Sequence, residues 1–152
     1  MTVITFDLDY WASPIIDLYI SPSLERTAAL ARSGQPSGRW PVRALVDSGA
    51  SRTFIQRSVI GGLGLEAAGE TDVYTASSGA VPITSATYKV RLFLQRVAGD
   101  LIASDLEVVE AEDLSGLHVD VLLGRDVLGR CLLVYNGAEK KLTIAFDPPS
   151  DE

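Results

Sequence analysis

Short apolar or alternating runs separated by Gly, Pro, Ser and Asn dominate the chain, a pattern that predicts a mainly β protein. Thr2 to Leu8 alternates in part, and Ile15 to Ile20 forms a second strand candidate. Val42 to Val46 is a strong β run that Thr53-Phe54-Ile55 resumes beyond a polar turn. Val73 to Ala76 and Val81 to Leu94 flank Ser77-Ser78-Gly79, which predicts a hairpin with a Gly-containing tip. Leu101 to Val109 and Val119 to Leu123 read as further strands, the latter apolar apart from Asp120. Leu132 to Tyr135 and Lys141 to Phe146 should pair around Asn136-Gly137. Three helical segments interrupt this pattern. Ser21 and Pro22 resemble an N-cap and first helical position ahead of Leu24 to Arg32. Gln56 to Leu63 predicts a short helix ended by Gly61, Gly62 and Gly64, and Arg125 to Arg130 another turn or two. Residues 21–38 thus read as an excursion from a single domain spanning 1–152, with 147–152 as a disordered tail after Pro148-Pro149.

Composition narrows the function. At 152 residues and 47% hydrophobic, the chain can build one core but not two lobes that each carry an active-site loop. A net charge of -7 argues against a nucleic-acid partner, and Arg26, Arg32, Arg39 and Arg43 read as solvated surface. Cys131 is the only cysteine, which precludes an intrachain disulfide, suits a reducing compartment and reads as a small core hydrophobe. His118 is the only histidine, so no ordinary zinc cluster can assemble, and neither metal nor cofactor is expected. The N-terminus has no signal-peptide pattern and no run is long enough to cross a membrane, so the expectation is a soluble cytoplasmic protein.

The most telling chemistry lies in Ala44-Leu45-Val46-Asp47-Ser48-Gly49-Ala50-Ser51. An apolar strand delivers a carboxylate to a tight Ser-Gly turn. Gly49 lets its backbone come close enough to donate a hydrogen bond to that carboxylate, where a side chain would clash. The bland reading is a plain turn whose Asp bonds nearby backbone. The other reading is half of an acid–base pair, in which one carboxylate activates a water while a second, protonated, polarises a carbonyl. Such a run occurs once, so a second chain would have to supply the second carboxylate.

This loop resembles the active-site loop of retropepsins, the single-domain aspartic proteases of retroviruses and their cellular and bacterial relatives. Tyr74-Thr75-Ala76-Ser77-Ser78-Gly79-Ala80-Val81 is similar to the flap hairpin of bacterial members, and Val119-Asp120-Val121-Leu122-Leu123-Gly124-Arg125-Asp126 to their second signature and following helix. The resemblance covers roughly Val42 to Phe146. It implies a closed β-barrel of the acid-protease fold, with one or two short helices and a flap. It further implies a homodimeric aspartic endopeptidase acting on peptides or unfolded protein. Asp47, Ser48 and Gly49 would be catalytic, the Ser48 hydroxyl crossing the two-fold axis. Ala50, Ser51, Arg52, Ala76, Ser77, Ser78, Gly79, Leu122 and Leu123 would meet substrate, and Gly124, Arg125 and Asp126 would support the loop. The Thr2–Phe6 and Leu142–Phe146 strands are candidates for an intersubunit sheet.

Two departures carry consequences. Viral members place an acidic residue where Ser51 stands, so Arg125 loses its usual partner and would turn to Asp126, Asp120 or a carboxylate across the interface. Pepsins place a hydroxyl where Ala50 stands, and its loss implies maximal activity in mildly acidic to near-neutral solution. Arg52 would disfavour basic side chains in an outer pocket. Two other functions remain open at this point: a retropepsin-like module that only dimerises or binds peptide, and an unrelated β-barrel that binds a small ligand.

Overall fold

The computed structural model describes residues 1–74, 79–94 and 101–149. In chain order these form β1 (Thr2–Asp7), β2 (Ile15–Pro22), α1 (Leu24–Arg32), β3 (Trp40–Val46), β4 (Phe54–Gln56) and α2 (Arg57–Leu63). There follow β5 (Ala67–Val73), β6 (Ile83–Phe93), β7 (Leu101–Ala111), β8 (Val121–Leu123), α3 (Arg125–Leu128), β9 (Cys131–Asn136) and β10 (Lys141–Phe146).

Six strands close into a mixed barrel. They pair in the order β2-β3-β8-β4-β7-β6, and β6 returns to β2 through Tyr19↔Phe93 to Pro22↔Val90. Closure leaves these strands without a free edge over that stretch. β5 extends the wall by pairing with β6, so that Val73 faces Ile83 at the root of the hairpin expected from sequence. Its tip residues Ala76, Ser77 and Ser78 lie outside the described residues; Gly79, at the exposed start of the return, has φ of 61°.

Strand alternation builds the core. Ile16, Leu18 and Ile20 of β2 face inward with Val42, Ala44 and Val46 of β3, all buried. Each fully buried Leu or Ile contributes about 1.5–3 kcal/mol relative to exposure. On β7 the register against β6 shifts between Val90↔Leu106 and Leu92↔Ala103, with Asp105 at φ 48°. That bulge lets Ala103 and Leu106, three positions apart, both point inward.

The sequence reading needs correction at the first helix. Ser21 and Pro22 belong to β2, and Ser23 is the N-cap, its hydroxyl accepting the Arg26 N–H at 3.2 Å. Barrel closure wins over the local cap signal: Ser21 pairs with Arg91 and Pro22 with Val90. Gly61 and Gly62 lie inside α2, and left-handed Gly64 ends it. The terminal strands make a separate sheet in the order β1-β10-β9. β10 is therefore central, with both edges already paired inside the chain, so Leu142–Phe146 is not available to a second subunit in this arrangement. The outer edges belong to β1 and β9.

Candidate active site

β3 carries Asp47 to the end of the barrel. The Asp47 N–H donates to the Leu123 carbonyl on β8 at 2.9 Å, and the Ala50 N–H closes a turn onto the Asp47 carbonyl at 3.2 Å. Within that turn the Gly49 N–H donates to Asp47 Oδ1 at 2.9 Å. A Cβ on Gly49 would lie 3.1 Å from the same oxygen, so the close approach favours glycine.

A second layer clamps the loop from below. Gly124 lies so close to Arg52 that an added Cβ would sit 2.3 Å from the Arg52 carbonyl oxygen, a contact no side chain can make. The buried hydroxyl of Thr53 accepts the Gly124 N–H at 3.1 Å and donates to Asp126 Oδ1 at 2.6 Å. Asp126 Oδ2 accepts the Thr53 N–H at 2.9 Å, and Oδ1 also accepts the Val127 N–H at the start of α3. Thr53 had no role in the sequence reading. Its signal was its place between the Asp47 turn and β4, but only the tertiary pairing reveals the hydroxyl's partners.

Arg125 does not turn to either nearby aspartate. Asp126 is engaged by Thr53, and Asp120 Oδ2 accepts the Arg43 N–H at 2.9 Å. Instead Arg125 Nη1 donates to the Ser48 carbonyl at 2.7 Å, while its backbone N–H donates to the Ala50 carbonyl at 2.9 Å. With Ser51 exposed and without charge, the guanidinium reaches the backbone of the Asp47 turn directly.

Asp47 is half-buried and opens on a cavity of 680 Å³. Leu122 and Phe54 form its floor, Val73, Tyr74 and Ile83 come from the root of the β5–β6 hairpin, and Glu110 to Leu114 line the end of β7. Leu123 is fully buried in the core, so only Leu122 of that pair can touch a ligand; successive strand residues face opposite sides. A second cavity of 370 Å³ shares Phe54, Val73 and Tyr74 and adds Gly49, Ala50, Ser51 and Arg52. There Arg52 is tethered by its Nη2 to the Glu107 carbonyl at 3.3 Å. Among the described residues no group of three or more His, Cys, Asp or Glu is placed to hold a metal ion.

The sequence model of a family described as aspartyl protease matches residues 33–127, from the loop after α1 through the Asp47 turn to α3. The chain belongs to this aspartyl protease family. Its fold is similar to that of a retropepsin-like aspartic protease from Rickettsia conorii, seen in a crystal structure. The TM-score is 0.58 and the identity 16%, over 95% of this chain and 91% of that one. No curated protein matches the chain. The retropepsin-like barrel is thus shared with a distant aspartic protease. Among the described residues no helix is long and apolar enough to cross a membrane.

Proposed function

We propose that the chain is a homodimeric aspartic endopeptidase that hydrolyses peptide or unfolded protein. Asp47 and its symmetry mate form the catalytic pair. Two carboxylates about 3 Å apart cannot both ionise, so the pair retains one proton. The ionised member takes a proton from a water whose oxygen attacks the scissile carbonyl carbon. The protonated member hydrogen-bonds the carbonyl oxygen, and collapse of the intermediate expels the amine, whose nitrogen takes the proton that the first carboxylate received from water. The observation that carries this reading is the half-buried Asp47 carboxylate at a strand end, held by the Gly49 N–H and opening on a cavity wide enough for peptide side chains.

The other residues take supporting roles. The Ser48 hydroxyl stiffens the base of the site across the two-fold axis. Gly124, Arg125 and Asp126, with Thr53, hold the loop in place. Ala50, Ser51, Arg52, Gly79 and Leu122 contact substrate. An extended substrate suits such a cleft because alternate side chains enter alternate pockets. The dimer is isologous, as two-fold symmetry requires for one loop to meet its equal. The outer edges of β1 and β9, unpaired within the chain, are offered to a second copy.

Purified protein incubated with unfolded casein and a varied peptide library, beside Asp47→Asn, tests the reading. Cleavage by wild type and none by the variant is expected. Wild type cutting no better than the variant across a broad pH range would favour a silent dimerisation or peptide-binding module.

A further inference from the structure

The wall of the 680 Å³ cavity is more acidic than the chemistry at Asp47 requires. Glu110, Glu112 and Asp113 line it with Asp47, and among the described residues no lysine, arginine or histidine does. Arg57, outside the cavity, offsets Glu110 in part at 3.7 Å. Hydrogen bonds from the Ser115 hydroxyl and backbone N–H hold the Asp113 carboxyl below the ordinary carboxylate range, so it is ionised at neutral pH. Apart from Ser85 and Tyr74 the remaining wall is apolar, with Ile83, Leu114 and Leu122 prominent. An aliphatic floor beside anionic groups fits a side chain that has a hydrocarbon stem and a cationic head. The neighbouring 370 Å³ cavity differs: Arg52 and Asp72 give it one cation against one carboxylate.

We propose that the cavity beside Asp47 is a subsite that selects a lysine or arginine side chain of the peptide substrate. This rests on the reading of that cavity as the substrate cleft, and it adds a substrate class to it. A peptide lies across Asp47 with one basic side chain along Leu122 and Leu114, its charged end toward Glu112 and Asp113. The adjacent side chain on the same face of the peptide meets Arg52 and is not selected for positive charge. Because Glu112 and Asp113 are exposed, the preference weakens as ionic strength rises.

The test walks one lysine, glutamate or norleucine through each position of an otherwise neutral peptide. Two readouts are taken. Cleavage by wild type gives kcat/KM ratios, and fluorescence anisotropy with the Asp47→Asn protein gives binding ratios that need no catalysis. At one position lysine should exceed norleucine by about fivefold and glutamate by more, at low salt. In Glu112→Gln/Asp113→Asn the lysine-to-norleucine ratio should fall toward one. Equal ratios for all three residues at every position, no binding of any peptide, or a lysine preference that survives the double substitution would overturn the proposal. If Asp47→Asn binds with the predicted preference while wild type cleaves nothing, the subsite stands and the protease reading fails.

Discussion

The Thr53 hydroxyl donates to Asp126 Oδ1 at 2.6 Å, and this half-buried bond joins the strand after the Asp47 turn to the helix after Gly124. The same hydroxyl accepts the Gly124 N–H, so a single oxygen ties three segments whose positions decide where Asp47 points. Thr53→Val keeps the shape and removes both bonds, leaving the buried Gly124 N–H without its partner and half-buried Asp126 Oδ1 with only the Val127 N–H. An unsatisfied buried group costs about 1–3 kcal/mol, more beside a charge. Urea unfolding should show a loss of that size or larger, with a lower midpoint and little change in slope. A change below about 0.5 kcal/mol would mean that the hydroxyl is not a structural hub.

Arg125 acts on the loop by a different route. Its guanidinium is exposed yet donates to the Ser48 carbonyl at 2.7 Å, one residue from the proposed catalytic carboxylate. Arg125→Ala should therefore lower kcat several-fold while shifting stability by no more than about 1 kcal/mol, as suits one exposed charge-assisted bond. Arg125→Lys should recover part of kcat, because an ammonium can still reach one carbonyl. Loss of stability with unchanged kcat in the protein that remains folded would contradict a role in positioning the turn.

Much of this was legible in the chain because it is local. The strand, Asp47, Ser48 and Gly49 are consecutive, and the expected N–H bond to the carboxylate is present. The end of β3 at Val46, the end of α1 at Arg32 and the β9–β10 hairpin likewise follow from short-range patterns. What failed was decided by distant pairing. β5 was seen only at its final residue, because Ala67-Ala68-Gly69-Glu70-Thr71-Asp72 has weak strand propensity and becomes a strand by pairing with β6. Ser21 signalled a cap, yet barrel closure claimed it. Leu122 and Leu123 read as equals, but the pleat sends one to the cavity and the other to the core. The partner of Arg125 within the chain could not be found by searching for carboxylates, since it is a backbone carbonyl.

A pH-dependent contact clips the ends of the chain together. Lys141 Nζ donates to Asp7 Oδ1 at 2.6 Å, between residues that face each other across β1 and β10. This bond lowers the Asp7 pKa and raises that of Lys141. For Asp7, a depressed folded pKa means that its contribution is present above the ordinary carboxylate range and fades as pH falls through the folded value. For Lys141, a raised folded pKa means a contribution present below the ordinary lysine range and lost as pH rises through the folded value. The clip is therefore intact across neutral pH and opens at both extremes. NMR titration of the Asp7 carboxyl carbon should give a midpoint below that of the unfolded chain, and Lys141→Met should abolish the difference. An unchanged midpoint in that variant would refute the pairing.

Activity should follow a different profile. Ala50 offers no hydroxyl, and its N–H is spent on the Asp47 backbone carbonyl rather than the carboxylate. Peptide cleavage is accordingly expected to peak in mildly acidic to near-neutral solution. A maximum below about pH 3, where a hydroxyl-assisted pair works, would contradict that argument.

The central claim, that each catalytic pair draws one carboxylate from each of two chains, is tested most directly by mixing. Wild type and Asp47→Asn are co-refolded in equal amounts, so that subunits redistribute at random, and cleavage is measured at fixed total protein. If activity needs two intact Asp47 residues, only wild-type pairs cleave, and the mixture retains about one quarter of the wild-type rate. A rate of about one half would show that each chain works alone, and the two-subunit account would be wrong.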